Sequence, residues 1–465
     1  MGHTKMFLFL WLMLSLSLTM FADNEYYQGR NLSNQSFYGR SLENANFNNC
    51  NLRGAFLEST CIKNATFEDS DIRGASFFLC SYDIPNVNFY HPDNFRAEQI
   101  YATASYKQKD LTGVNLGDNF LSGWDFSGQN LTDVDFSWSY LGAISSDTFS
   151  DYGLDYPGLQ KADFTDAIVN GANFREVTRK EFGSFSSDQL YSTLSYKRKD
   201  LSRIKLDGND LSKWDFSEQN LQNSSFRTIN QEDVTNLEGS NFAKADLRGA
   251  DLSGAEGNPI YKNTIMTDGR IENFSMTSAS DSLLIRKYEP GTSGGALISA
   301  KLDASSTISG GAALALECGA DFEITNNSTL SVAQGSAISI NTDASSSTSF
   351  SILAGSRLVF ENGAILKINL EGTFTADDSV SFVVFDWENG GNFEVIGDFI
   401  KDESVFLGLN GEKFDGDWNF KTEDNKFIVS ISQVPEPAAC AAIFGTLTLL
   451  LALGKRKAHL AKIGR

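Results

Sequence analysis

From Leu32 onward a large apolar residue returns at every fifth position: Leu32, Phe37, Leu42, Phe47, Leu52, Leu57, Ile62, Phe67, Ile72 and Phe77. That period matches neither the ~3.6 residues of a helical turn nor the two-residue alternation of a strand, so a repeat architecture is required. Two residues before the later members sits a small residue, namely Ala45, Cys50, Ala55, Thr60, Ala65, Ser70 and Ala75. A square coil satisfies both observations. Each pentapeptide makes one side, with its central Leu, Ile or Phe and the small residue pointing inward. Four sides close a turn, and turns stack at the ~4.8 Å strand spacing with backbone groups paired between them.

Stretches such as Ala45-Asn46-Phe47, Ala162-Asp163-Phe164, Ala172-Asn173-Phe174, Ala245-Asp246-Leu247 and Ala250-Asp251-Leu252 resemble the A(D/N)LXX pattern of the pentapeptide-repeat family. The pattern recurs in blocks at 111–141, 159–174, 201–226 and 237–252. The resemblance implies a right-handed quadrilateral β-helix, expected over residues 23–258.

Two interruptions resemble each other. Gln99-Ile100-Tyr101-Ala102-Thr103-Ala104-Ser105-Tyr106-Lys107 returns as Gln189-Leu190-Tyr191-Ser192-Thr193-Leu194-Ser195-Tyr196-Lys197, and Trp124-Asp125-Phe126 returns as Trp214-Asp215-Phe216, so a unit was duplicated. Ser186 with Gln189 reads as a capping box, and Leu190 with Leu194 as one helical face, which predicts short helical insertions near 93–109 and 178–199. Ser-Tyr-Lys invites a catalytic reading. Adjacent Tyr and Lys side chains do not face each other on a helix, so packing is the favoured role.

Beyond Pro259 the pentads stop and Ser, Thr, Gly and Ala take over. Leu314/Leu316, Phe322/Ile324, Leu330/Val332 and Ile338/Ile340 recur every eight residues, and Phe350/Ile352, Leu358/Phe360 and Leu366/Ile368 resume the cadence between Gly319, Gly335, Gly355 and Gly363. Short alternating strands fit a β-solenoid or a meander of hairpins. Equal spacing favours a solenoid over 259–370, placed to continue the first coil and cover its open end. Over 371–433 the regularity fades while Phe382, Phe385, Trp387, Phe393, Phe406, Trp418, Phe420 and Phe427 accumulate, as in a small β-rich cap. Those rings suit either a cap core or stacking on sugar.

At the amino end His3 and Lys5 precede the apolar run 6–21, with small or polar residues from Ala22 onward, the layout of a secretory signal peptide over 1–22; an uncleaved anchor is the competing reading. At the other end Pro435-Glu436-Pro437 precedes an apolar span at about 438–454 and the basic cluster Lys455, Arg456 and Lys457. The span predicts a C-terminal transmembrane helix whose basic tail stays cytoplasmic. Motif, span and basic tail over 434–465 together resemble the PEP-CTERM sorting signal of Gram-negative bacteria that make exopolysaccharide. That resemblance implies an exosortase-type membrane protease as partner, an inner-membrane intermediate, and release toward the cell surface or biofilm matrix. A plain tail anchor is the simpler alternative. The expected fold class is all-β: the pentapeptide coil with short helical insertions, a second β-solenoid or β-rich domain, and that terminal helix.

The formal net charge is −21, and six of the 38 basic residues lie in the two ends, so the body between them is more acidic still. Phosphate backbones are disfavoured partners, and no nucleic acid is expected. Cys50, Cys61, Cys80, Cys318 and Cys440 show no C-x-x-C pair or even framework. His91 is the only histidine between the end signals, too few for a His-rich zinc site. No catalytic residue, metal ligand or cofactor is assigned. Three functions are in play. The first is a non-catalytic structural or adhesive surface scaffold in contact with polysaccharide. The second is an acidic DNA mimic, as the resemblance to gyrase-binding pentapeptide proteins implies. The third is a polysaccharide-active enzyme using carboxylates such as Asp125, Asp135, Asp215 and Asp246. Those four acids occupy an outward position where a solvated charge is the default.

Overall fold

The computed structural model describes residues 26–80, 94–142, 161–178, 185–291, 296–343, 348–371, 380–387, 391–395, 406–407, 417–432 and 445–450. The chain divides into two compact units. One comprises Met1–Asp210, Ser225–Asn236 and Ser253–Ala255; the other comprises Leu211–Ser224, Leu237–Leu252 and Glu256–Arg465. The change of sequence pattern at Pro259 therefore lies inside the second unit.

In the first unit parallel bridges join each pentad to the one four pentads later: Tyr26 to Asn46, Asn31 to Asn51, Ser36 to Phe56 and Ser41 to Cys61. Twenty residues thus close one turn of four sides. Leu32, Phe37, Leu42, Phe47, Leu52, Leu57, Ile62, Phe67, Ile72 and Phe77 are all buried, as are the small residues two positions before them from Ala45 to Ala75. Aromatic members stack from turn to turn, Tyr27 on Phe47 at 4.7 Å and Phe47 on Phe67 at 5.1 Å. Each corner is a tight turn, for example Gln35 N–H to the Leu32 carbonyl at 3.1 Å, with Asn34 at φ 57°. A type II turn needs that left-handed residue, and Gly39, Asn44, Asn49, Gly54 and Asn64 fill the corresponding position.

Each insertion is a pair of short helices: α1 (Ala97–Tyr101) and α2 (Ala104–Lys107), then α3 (Ser187–Ser192) and α4 (Leu194–Lys197). The Ser186–Gln189 capping box is present. The expected single helical face through Leu190 and Leu194 is not. Thr193 is extended at ψ 152° and ends α3, and its side chain accepts the Tyr196 N–H to start α4, so Leu190 is buried and Leu194 only half-buried.

The second unit opens on pentad sides, with Asp215 bridged to Asn241 and Asn220 to Asp246, and parallel pairing then passes from Asp246 to Ile265, Arg270 to Lys301 and Met276 to Ile308. Beyond these, strands visit three faces in rotation. Ser282–Ile285, Ala313–Leu316, Ala337–Asp343 and Ile365–Glu371 form one face; Ala300–Leu302, Asp321–Ile324, Ser349–Ile352 and Val380–Trp387 the second; Ser306–Ile308, Thr329–Val332, Arg357–Phe360 and Asn392–Val395 the third. All pairs among them are parallel, so a hairpin meander is not the arrangement. Three strands at an eight-residue cadence make one turn, and Ala313 accordingly pairs with Ala337. Their inward residues form a continuous core from Ile265 to Phe427. Lys426–Ser432 pairs antiparallel with both Val380–Trp387 and Asp417–Glu423. Phe385 and Phe427 lie in the core, which removes these two rings from any sugar-stacking surface, and Trp387 is partly buried against it.

The expected terminal membrane helix is not found over the residues the structure describes. Gly445–Leu450 is a strand, antiparallel to Ile365–Glu371 and to Phe406–Leu407, and among the described residues no helix is long and apolar enough to cross a membrane. Pairing satisfies the otherwise open edge of 365–371, and alternation of Thr446 and Thr448 with leucines is a strand pattern as well as an apolar one. The rest of the expected span, and the 1–22 segment, lie outside the described residues.

Candidate functional site

The acids singled out in the sequence are committed to the backbone. The Asp or Asn before each central residue accepts the N–H two positions on: Asp125 from Ser127 at 2.8 Å, Asp135 from Ser137 at 2.8 Å, Asp215 from Ser217 at 2.9 Å and Asp246 from Arg248 at 3.2 Å. These are Asx turns, and they explain why the repeat asks for Asp or Asn. The four do not pair with one another across turns. Asp125 bridges Asp163, Asp135 bridges Asn115 and Asn173, Asp215 bridges Asn241, and Asp246 bridges Asn220 and Ile265. Asp246 departs from the expected solvated position altogether, because it is fully buried.

Around Asp246 the second unit builds a polar clasp. Arg248, also fully buried, meets Asp246 through both Nε at 3.0 Å and Nη2 at 2.7 Å, and donates to the carbonyls of Ile298 at 3.1 Å and Arg286 at 2.6 Å. Gln222 Nε2 donates to Asp246 at 2.9 Å and to the Lys287 carbonyl at 3.0 Å; Asn223 donates to the Glu289 carbonyl at 2.8 Å and accepts from the Tyr288 hydroxyl at 3.1 Å. The guanidinium lies 5.4 Å from the Tyr288 ring. These bonds hold residues 286–291 and 296–298 against the last pentad sides. A buried ion pair survives only when its remaining hydrogen bonds are met in this way. Sequence reasoning missed it, since Asp246 carries the same motif as its exposed counterparts.

The Ser-Tyr-Lys copies are structural at each atom. Ser105 Oγ accepts the Ile72 N–H at 2.9 Å and Ser195 Oγ the Val169 N–H at 2.9 Å. Lys107 pairs with Asp69 at 2.8 Å and Lys197 with Asp166 at 2.7 Å. Gln99 and Gln189 each donate to two carbonyls of the coil: Ile62 and Ala65, then Leu141 and Ala162. Burial pushes the Tyr106 hydroxyl above its ordinary range, with its O–H donated to the Asp125 carbonyl. The insertions thus act as plugs in place of coil sides.

Small polar residues inside the coil have a matching task. Cys50, Thr60 and Cys80 donate to the carbonyls of Tyr27, Phe37 and Leu57. Burial pushes the Cys80 thiol up to about 12, far from a reactive thiolate. Among the described residues no group of His, Cys, Asp and Glu is placed to hold a metal ion. The expected sorting motif Pro435, Glu436 and Pro437, the basic cluster Lys455, Arg456 and Lys457, and His91 lie outside the described residues.

A family model described as pentapeptide repeats matches the chain in eight copies, over residues 31–77, 110–142 and 235–256. These coils are pentapeptide repeats. The same coil geometry continues beyond those spans, at 161–178 and 201–226, where Asn130 bridges Ile168 and Lys205 bridges Ser225. Among solved structures the chain is similar to HetL, a pentapeptide repeat protein involved in heterocyst differentiation regulation from the cyanobacterium Nostoc. The identity is 19%, over 56% of this chain and 98% of that one, with a TM-score of 0.22. It is also similar to PfbA, a surface adhesin of Streptococcus pneumoniae, at 13% identity over 84% of this chain and 70% of that one, with a TM-score of 0.12. No curated protein matches the chain.

Proposed function

We propose that this chain is a non-catalytic, exported scaffold of the cell surface or extracellular matrix, a pentapeptide-repeat protein sorted by the Pro435-Glu436-Pro437 signal and in contact with exopolysaccharide. The observation that carries the reading is the repetition of outward columns. Each turn presents the same Asp, Asn and Ser positions again, which suits weak contact made many times over. The acids that an enzyme would need are instead holding turns, and an acidic exterior suits export and solubility more than contact with phosphates. The sorting reading requires residues 438–454 to leave the strand pairing at 445–450 when they meet lipid.

The test is fractionation of a Gram-negative host that carries an exosortase, with the C-terminus of the recovered protein weighed by mass spectrometry. The reading expects surface or medium location and a chain ending near Pro435. An intact C-terminus on protein spread through the cytoplasm would rule it out.

A further inference from the structure

One side of the coil carries aromatic residues at outward positions that most pentads fill with polar ones. Its central residues Phe37, Leu57, Phe77, Leu116 and Phe136 fill the core. Outside them, Tyr38 is 64% exposed and Phe56 46% exposed. Backbone pairing fixes their neighbourhood. Ser36 bridges Phe56, Gly39 N–H donates to the Glu58 carbonyl at 3.2 Å, and Ser59 N–H to the Phe78 carbonyl at 3.0 Å. Tyr38, Glu58 and Phe78 therefore stand at one position in three successive turns, with the two rings ~9.6 Å apart along the stack.

Phe78 reaches Trp138 in an edge contact at 6.2 Å. The glycine between them makes this contact possible, since a Cβ on Gly117 would come within 3.0 Å of the Phe78 ring. Leu79 and Trp138 both sit at φ 60°, at the corner position that Gly39, Ser59 and Asp118 fill in the other turns of this side. A non-glycine residue there costs roughly 1–2 kcal/mol, and Trp138 carries the Arg175 guanidinium 4.8 Å from its ring. Four rings, two of them well exposed, thus share one side. The carboxylate between the rings, Glu58, is held by the Ser76 hydroxyl at 2.8 Å, and Asp118 and Asp135 follow on the same side.

We propose that this side binds an extended glycan bearing free amino groups, its sugar faces stacked on Tyr38, Phe56 and Phe78 and its ammonium groups drawn to Glu58. Ring faces attract both the polarised C–H surface of a sugar and a cation, while the carboxylates and the net charge of −21 repel uronate and phosphate polymers. The inference rests on the surface reading above and names the ligand class it would meet.

The experiment is calorimetric titration of the purified full-length protein with a chitosan oligosaccharide, beside its fully N-acetylated counterpart and an alginate oligosaccharide. Saturable binding of the chitosan chain alone is expected, weakening with salt. Combined Tyr38→Ala and Phe56→Ala should reduce it at least tenfold, and Glu58→Gln should flatten its salt dependence. Because both rings are exposed, an unchanged circular dichroism melt will certify that the double variant is folded. Absence of binding, equal binding of the N-acetylated chain, or full affinity in the folded double variant would each overturn the proposal. Failure here leaves the surface location standing, whereas a cytoplasmic location with chitosan binding intact would remove the surface reading alone.

Discussion

Phe47 shows what one inward residue contributes. Its ring stacks between Tyr27 and Phe67 and meets Phe37 edge-on at 5.5 Å, with no exposed surface. Phe47→Ala is expected to cost about 3–5 kcal/mol, read from the urea midpoint, because stacked turns on either side prevent collapse of the cavity. The carboxylate of Asp281 gives a pH signature. It accepts the N–H groups of Thr277 and Ser278 and pairs with Lys262, and these partners, the Thr277 N–H foremost, lower it to about 2. A depressed carboxylate stabilises the fold above its unfolded pKa and loses that contribution as pH falls through the folded value. Parent stability should therefore decline between about pH 4 and about pH 2 with a component that Asp281→Asn lacks, as thermal melts across that window will show. The five-residue spacing of Leu32 to Phe77 made the core legible from sequence, since volume and period alone select those positions. The Asx role of Asp125 or Asp135 was not legible, because exposure and backbone bonding draw on the same residue types.

At the scale of elements, one turn of the second segment depends on a glycine whose space no side chain can share. Gly310 sits at φ 62°, and a Cβ there would lie 2.0 Å from the Thr277 carbonyl oxygen. Gly310→Ala is expected to destabilise this unit by more than the ~1 kcal/mol typical of a point substitution, measured by chemical denaturation. The clasp calls for a mutant cycle. Arg248→Met alone should cost about 3–5 kcal/mol by stranding the Asp246 charge, and adding Asp246→Leu should recover a large part of it. Equal losses in single and double variants would show that the Arg248 contacts with the Arg286 and Ile298 carbonyls, rather than the ion pair, hold these segments. The eight-residue cadence favoured solenoid strands, and a hairpin meander was the alternative that parallel pairing excluded. A helical reading of Leu190 and Leu194 failed for a local reason, because Thr193 caps the next helix and must leave the helical conformation to do so. The apolar run near the C-terminus was read as a span from its hydropathy and its basic tail, and residues 445–450 satisfy a strand edge with the same composition.

Over the whole molecule, stability in each unit is built from contacts between successive turns, so damage should spread only to neighbours. Hydrogen exchange in Phe47→Ala is expected to accelerate for the turns containing Tyr27, Phe47 and Phe67 and to stay unchanged for the strands from Ala313 to Phe360. Uniform acceleration through both regions would mean that the chain melts as a single cooperative body.

The Asx turn uses one oxygen of the residue before each central position, and an amide supplies that oxygen as well as a carboxylate does. Asp125 and Asn130 meet the same demand with different charge. Electrical character is thus written in an alphabet the backbone does not read, and a lineage can drift from acidic to neutral, or confine acid to one side, while every corner keeps its shape.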